Sequence, residues 1–179
     1  MSAPSEPPEP GDLRTVALEI APRLRRYAHT LLGDAEAARD VVQDVLVRIH
    51  DRGRPEPRAD RPAAYLFAAV RNRCTDHLRK EKRVRPLSHD TGEHMRLVGH
   101  EPDPAASATT GDSSAVAVAE LENLPPAQRE VLRLKFSGGL SYAEIADVTG
   151  KTANNVGVLC HLGLKSLRAA LLAKGIDHA

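Results

Sequence analysis

The chain has few aromatic residues and lacks any motif of an enzyme active site. Aromatic side chains account for 3% of its 179 residues, and tryptophan is absent. A hydrophobic core must therefore be built mainly from Leu, Val, Ala and Ile, which favours small helical bundles over a β-sandwich. The eight histidines and the carboxylates form no nucleophile–base or metal motif. We expect an all-α protein with no enzyme activity, no catalytic residue and no cofactor.

Cysteines and long apolar runs are scarce as well. Cys74 and Cys160 stand in neither a CxxC nor a Cys/His zinc spacing, so we expect two small core residues in a reducing compartment. No apolar run approaches the roughly 20 residues that a membrane span needs. The N-terminal stretch MSAPSEPPEPGD lacks the basic start and apolar core of a signal peptide. The sequence predicts a cytoplasmic protein without membrane insertion, preceded by a disordered tail over residues 1–11.

The charged residues are distributed unevenly along the chain. Residues 12–85 carry 17 basic and 11 acidic side chains, residues 86–112 carry 1 and 5, and residues 113–179 carry 7 and 6. A basic block, an acidic connector and a near-neutral block indicate two domains. We place them at 12–85 and 113–173, joined by a flexible linker at 86–112 that is rich in Pro, Gly, Ser, Thr and Ala.

Apolar residues at three- and four-residue steps predict three helices in the first domain. The first helix begins near Asp12 and contains Pro22, so it is either two helices or one kinked helix. Gly33 and Asp34 end it and cap a second helix over residues 35–50. A third helix follows over about residues 61–83.

The second domain contains a strong helix-turn-helix pattern among four predicted helices. Ser141 and Glu144 have the spacing of a capping box at the start of one helix. Gly150 breaks that helix, and Thr152 caps the next, which would be the recognition helix. The pattern predicts DNA binding.

The linker contains three histidines near two acidic residues, which could suggest a metal site: His89, Asp90, Glu93, His94 and His100. Their spacing matches no standard ligand pattern. We expect solvated side chains and no metal.

The third helix of the first domain ends in a basic run that nucleic acid could neutralise. Its seven positive residues are Arg71, Arg73, Arg79, Lys80, Lys82, Arg83 and Arg85. A phosphate backbone would offset their repulsion, and Asn72, Asp76 and His77 can bond to base edges. Tyr65 and Phe67 either stack on unpaired bases or lie in the core beside a solvated helix end.

The second helix carries an acidic outer face. Asp40, Gln43 and Asp44 share that face at three- and four-residue spacing. The face is either a solubilising surface or a docking site for a basic protein partner.

Three segments, in this order, resemble the extracytoplasmic-function (ECF) group of bacterial RNA polymerase sigma factors. They are ARDVVQDV at 38–45, PAAYLFAAVRNRCTDHLRK at 62–80, and the helix-turn-helix that begins LPPAQREVL at 124. The resemblance covers about residues 12–84 and 113–172. It implies two helical domains, called sigma-2 and sigma-4, that bind core RNA polymerase and promoter DNA.

The resemblance also implies which residues bind. Asp40, Gln43 and Asp44, with Arg48 one turn further on, match the sigma-2 helix that docks on the clamp helices of the polymerase β′ subunit, and sigma-4 implies a contact with the β flap. Asn72, Asp76, His77 and Arg79 match the segment that faces the −10 promoter element. The stacking and basic residues of the same helix complete the expected −10 contacts: Tyr65, Arg71, Lys80 and Arg83. The loop at about 54–61 would capture a flipped base. Asn154 and Asn155 lie at the start of the recognition helix, where such helices meet base edges and phosphates. With Ser141, Thr152 and Lys165, they are the expected contacts with the −35 element.

The recognition helix departs from the family's pattern. Where the family usually has several Lys or Arg, this chain has Gly157, Leu159, Leu162 and Leu164. If the inward stripe is Val156, Cys160, Gly163 and Leu167, an apolar strip points outward at Val158, Leu159 and Leu162. Either the −35 element is read by few contacts and by shape, or this face packs against a protein. That protein could be an anti-sigma factor, the chain's own sigma-2 domain or another chain.

The sequence therefore predicts an alternative sigma factor that binds core RNA polymerase, melts promoter DNA and directs initiation. The alternative is a helix-turn-helix regulator that does not associate with polymerase. Such a regulator would explain the second domain, but neither the basic third helix nor the acidic second helix.

Overall fold

A computed structural model describes residues 13–51, 61–84 and 111–176. These residues confirm the all-α prediction. The elements are α1 (Leu13–Leu32), α2 (Ala35–Asp51), α3 (Pro62–Val84), α4 (Gly111–Glu122), α5 (Pro126–Leu132), a π-helical turn (Arg133–Ser137), α6 (Tyr142–Thr149) and α7 (Ala153–Ala173). The predicted tail and most of the predicted linker lie outside the described residues, and the boundary drawn at 112/113 falls just inside α4.

The N-terminal bundle consists of α1, α2 and α3. Pro22 lies inside α1, which is one helix rather than two. At its end the N–H of Gly33 donates to the carbonyl of His29 (2.8 Å), and Gly33 has a φ of +71°. Asp34 then accepts from the N–H of Ala37 (2.9 Å) at the start of α2. The predicted stop and cap between the first two helices are therefore confirmed.

The aromatic residues of the N-terminal bundle lie at its centre. Tyr27 and Phe67 are fully buried, and their rings meet edge to face with centroids 5.4 Å apart. The stacking role considered for Phe67 is therefore wrong, because its ring is a core group. Tyr65 remains exposed. Cys74 is buried as expected, and burial raises the pKa of its thiol to about 12, so the thiol stays protonated.

The C-terminal bundle contains the predicted helix-turn-helix as α6 and α7. The Ser141 side chain accepts from the N–H of Glu144, and the Glu144 carboxylate accepts from the N–H of Ser141 (2.8 Å), which confirms the capping box. Gly150 ends α6 with a φ of +70°, and Thr152 caps α7 by accepting from the N–H of Asn155 (3.2 Å). Local sequence signals thus fix both helix starts of the motif.

Ion pairs connect α4 to α5, to the π-helical turn and to the end of α7. Glu122 at the end of α4 accepts from Arg129 (2.8 Å) and from Arg133, whose side chain is 9% exposed. Lys174, just after α7, pairs with Glu120. The hydrogen bond from Lys174, with a second from Asn123, holds the pKa of Glu120 below its ordinary value.

The two bundles pack directly against each other. Helix α3 lies on α6, and α1 lies on the π-helical turn. The buried apolar residues form one continuous cluster that includes members of both bundles. The sequence left open whether the two domains collapse together, and in this structure they do.

Candidate polymerase and DNA interfaces

The acidic face of α2 separates into two kinds of residue. Asp40 and Gln43 are exposed, as a docking surface requires. Asp44 is half-buried, and its carboxylate pairs with Arg73 of α3 (2.6 Å) and with Arg48 (3.3 Å). Asp44 therefore also holds α2 against α3. The sequence predicted an exposed carboxylate and did not indicate this contact.

The basic end of α3 presents a polar row to solvent. Asn72, Asp76, Arg79 and Lys80 are exposed, and Arg79 lies 3.8 Å from Asp76 one turn away. His77 is 37% exposed and lies 3.6 Å from Glu81. Arg83 belongs to α3, but its side chain lies outside the described residues. The structure thus places on this helix a set of donors and acceptors that can reach phosphates and base edges.

Arg71, also expected to contact DNA, has a partner in the other bundle. Its Nε donates to the carboxylate of Glu130 in α5. At the opposite end of α3, Arg61 pairs with Asp147 of α6 (2.7 Å). Sequence reasoning missed both acceptors, because Glu130 and Asp147 look like ordinary solvated carboxylates in a helical pattern.

The start of α7 presents polar groups suited to a DNA groove. Asn154 and Asn155 are exposed in the first turn, and Lys165 is exposed further along the helix. Ser141 and Thr152 are exposed too, but their hydroxyl groups cap helices. Ser141 caps the start of α6 and Thr152 caps the start of α7, and contacts with DNA would come in addition.

The apolar strip on α7 is present with one correction. Val158 is 51% exposed and Leu162 is 43% exposed, whereas Leu159 is half-buried against the core. Leu164 and Leu172 are exposed as well. Val156, Cys160 and Gly163 face inward as predicted, whereas Leu167, the fourth member of the predicted stripe, is only half-buried. Helix α7 packs mainly on α4, α5 and α6, so the N-terminal bundle is not what covers the strip.

Helix α7 is also the element of the described chain whose length and composition resemble a membrane span. This apolar stretch is longer than the sequence reading recognised. The inward stripe of α7 is occupied by contacts within the C-terminal bundle. These contacts bury 22% of the stretch, so most of its length is left without burial in the described residues.

A further predicted site and the histidines for which no metal was expected lie largely outside the described residues. The base-capturing loop at 54–61 is described at Arg61 alone, and the linker histidines His89, His94 and His100 are not described. The loop therefore remains a prediction.

The geometry defines a class of protein: a helical DNA-binding protein with a helix-turn-helix, a separate basic helix and an acidic face suited to a protein partner. Comparisons with known proteins agree with it. Residues 17–84 match sigma-70 region 2, and residues 117–167 match sigma-70 region 4.

Similar proteins cover nearly the whole chain. It is 33% identical to the ECF RNA polymerase sigma factor SigL of Mycobacterium tuberculosis, over 92% of this chain and 91% of SigL. It is 32% identical to SigD of the same species, over 93% and 80%, and 28% identical to EcfG of Rhodopseudomonas palustris, over 92% and 88%. The fold matches that of RpoE from Bartonella quintana, crystallised with the anti-sigma factor NepR. That match has a TM-score of 0.67 at 24% identity, over 94% of this chain and 100% of the other.

The chain belongs to the ECF sigma factors of RNA polymerase. It is an alternative sigma factor that acts with core RNA polymerase and promoter DNA in transcription initiation.

Proposed function

We propose that the exposed face of α2 docks on core RNA polymerase and that α3 opens the −10 element. Asp40 and Gln43 would meet the clamp helices of β′, while the C-terminal bundle meets the β flap and the start of α7 reads the −35 element. The protein would work in the cytoplasm and catalyse no reaction itself.

The observation that supports this division best is the composition of α3. One helix combines exposed Tyr65, which can stack on an unpaired base, with the exposed row Asn72, Asp76, Arg79 and Lys80. Basic grip on the backbone together with a stacking group is what strand opening needs, because binding energy must offset a few kcal/mol of unstacking. A regulator that reads duplex DNA alone has no use for this combination.

The test is a pull-down of purified core polymerase with the full chain, followed by run-off transcription. Templates should be a duplex promoter and the same promoter pre-melted around −10. We expect core binding and initiation from both templates. Duplex binding by the protein alone, without core binding, would instead support the regulator.

The docking assignment can be tested by reversing single charges on α2. Asp40→Arg should weaken core binding about tenfold or more without lowering thermal stability, because Asp40 is exposed. Asp44→Arg should lower both, because it also breaks the ion pair with Arg73. Each variant's affinity for core polymerase, measured by competition, and its thermal melt distinguish a loss of docking from a loss of stability. Full core binding by Asp40→Arg would remove α2 as the docking site.

The exposed apolar strip on α7 favours binding of a protein partner. We propose that an anti-sigma factor binds there. Val158→Lys with Leu162→Lys would add phosphate contacts if the strip faced DNA. If an anti-sigma factor binds the strip instead, the double substitution should change the promoter affinity of the holoenzyme by less than twofold. That is roughly the effect of a surface substitution far from the DNA. A severalfold gain that disappears at high salt would instead place the strip on DNA.

A further inference from the structure

The outward face of α7 carries a polar row beside the apolar strip. Four exposed side chains follow one another at steps of seven, four and three residues, which places them on one side of the helix. They are Asn154, His161, Lys165 and Arg168. The short side chains come first and the long basic ones follow. The row therefore passes from groups that suit base edges to groups that suit phosphates.

His161 has two different neighbours on the surface of α7. With about 3.6 residues per turn, Val158 of the apolar strip is turned about 60° from His161 in one direction, and Gly157 is turned about 40° in the other. The polar row is therefore distinct from the apolar strip. On its other side it is bordered by a residue that has no side chain.

Packing does not explain why residue 157 is a glycine. Among the described residues outside its own helix, the nearest atom to a Cβ on Gly157 would be a ring carbon of Tyr142 at 3.6 Å, which is an ordinary contact. Gly163, on the inward side of α7, is different: a Cβ there would lie 2.9 Å from Cδ1 of Leu132, so close packing on α5 explains that glycine. Glycine inside a helix is less stable than alanine, and close approach of the backbone to a ligand is a common reason for it.

The absence of a side chain at Gly157 allows a short side chain at His161 to reach a base. An imidazole is shorter than the side chain of Lys or Arg, so it reaches a base edge only where the helix backbone lies close to the floor of the groove. Gly157 precedes His161 by one helical turn and does not hold the backbone away. The imidazole carries an N–H in either tautomer, and every purine presents N7 as an acceptor in the major groove.

We propose that α7 enters the major groove on the side of Gly157 and His161, and that His161 donates to N7 of a purine in the −35 element. This inference rests on the proposed role of α7 at −35 and adds a specificity-determining residue to it. Asn154 and His161 lie about 10 Å apart along the helix axis. In a helix that reads a groove, this separation corresponds to about two to three base pairs. Lys165 and Arg168 then bind phosphates where the helix leaves the groove.

The first experiment removes the proposed acceptor atom from the DNA. Holoenzyme, assembled from core polymerase and the full chain, binds a promoter from which run-off transcription initiates. A 7-deazapurine replaces one −35 purine at a time, which keeps base pairing and removes N7. We expect one position at which the analogue weakens binding about fivefold, the effect of one lost hydrogen bond. At that position His161→Ala should bind both DNAs equally, and the base met by Asn154 should lie about two to three base pairs away.

The controls separate this contact from the rest of α7. Ser166→Ala, exposed on another side of the helix, should keep the wild-type response at every position. If Asn155→Ala relaxes discrimination at −35 while His161→Ala responds to every analogue as the wild type does, the proposal is overturned and the proposed function stands. If neither the analogues nor Asn155→Ala change promoter binding, the start of α7 does not read −35, and the proposed function of α7 fails together with this inference.

The second experiment tests the close approach at Gly157. Gly157→Ala should raise the melting temperature by about 2 °C, because alanine favours a helix and the added methyl group has room. Promoter binding should nevertheless weaken severalfold, and the response to the analogue at the His161 position should be lost, because the methyl group holds the helix away from the groove floor. Gly163→Ala, the comparison, should lower the melting temperature, because Leu132 must move. If Gly157→Ala keeps the full response to the analogue, the close approach is wrong.

Discussion

The two helices expected to meet promoter DNA, α3 and α7, are built in opposite ways. Helix α3 buries Leu66 and Phe67 and presents a charged row to solvent. Near this row, Arg61 and Arg71 bind carboxylates of the C-terminal bundle. Helix α7 keeps its polar groups near its first turn and exposes Val158 and Leu162 along its length. The contrast suggests that the electrostatic grip on DNA comes mainly from α3, whereas α7 contributes orientation and a few base contacts.

The largest expected effect is on stability, and it distinguishes the two aromatic residues of α3, Phe67 and Tyr65. Phe67→Ala removes a fully buried ring that contacts Tyr27 and should lower the free energy of unfolding by about 4 kcal/mol. Tyr65→Ala should change it by less than about 0.5 kcal/mol, because its side chain is exposed. Urea denaturation gives both values.

Among folded proteins, the order should be reversed for transcription: the loss of Tyr65 should have the larger effect. Tyr65→Ala should reduce run-off from the duplex template more than from the pre-melted one, because a stacking group acts during strand opening. Tyr65→Phe, which keeps the ring, is the matched control and should retain activity. An equal loss on both templates would show that Tyr65 does not act in opening.

Salt dependence gives the next contrast between α3 and α7. Arg79→Ala and Lys80→Ala should each reduce the slope of log affinity against log salt by about one, because each removes a phosphate contact. Asn155→Ala should leave the slope unchanged and relax discrimination at −35 by about 1–3 kcal/mol. Holoenzyme binding to promoter variants at several salt concentrations measures both. A slope that falls for Asn155→Ala alone would reverse the division of roles.

The features that the sequence predicted are local ones. The capping box of Ser141, the stop at Gly150 and the cap at Thr152 depend on residues within one turn, and all three are confirmed. The inward stripe of α7 follows from helical periodicity in the same way. Two residues depart from the prediction: Leu167, expected to face inward, is only half-buried, and Leu159, expected to point outward, is half-buried against the core. Leu159 lies at the edge of the stripe, where a small rotation decides burial.

The features that the sequence missed depend on long-range contacts. Arg71 and Glu130 are separated by 59 positions, and nothing near either residue indicates the pair. Asp44 belongs by spacing to the exposed face of α2, but Arg73 of the neighbouring helix draws it into an ion pair. Packing between helices decided both cases, and periodicity alone does not contain it.

The smallest expected effect concerns the start of α7. Thr152→Ala leaves the N–H of Asn155 without its acceptor and should lower stability by about 1 kcal/mol, whereas Thr152→Ser should keep the cap. Ser166→Ala, on the exposed face of the same helix, is the control and should have little effect. Because the cap fixes how Asn154 and Asn155 are presented, binding at −35 should fall with the alanine variant and return with serine. If Thr152→Ala weakens −35 binding while its thermal melt is unchanged, the hydroxyl acts on DNA rather than on the helix. Thr152 would then belong to the few polar groups of α7 that contact DNA, and not to the groups that orient the helix.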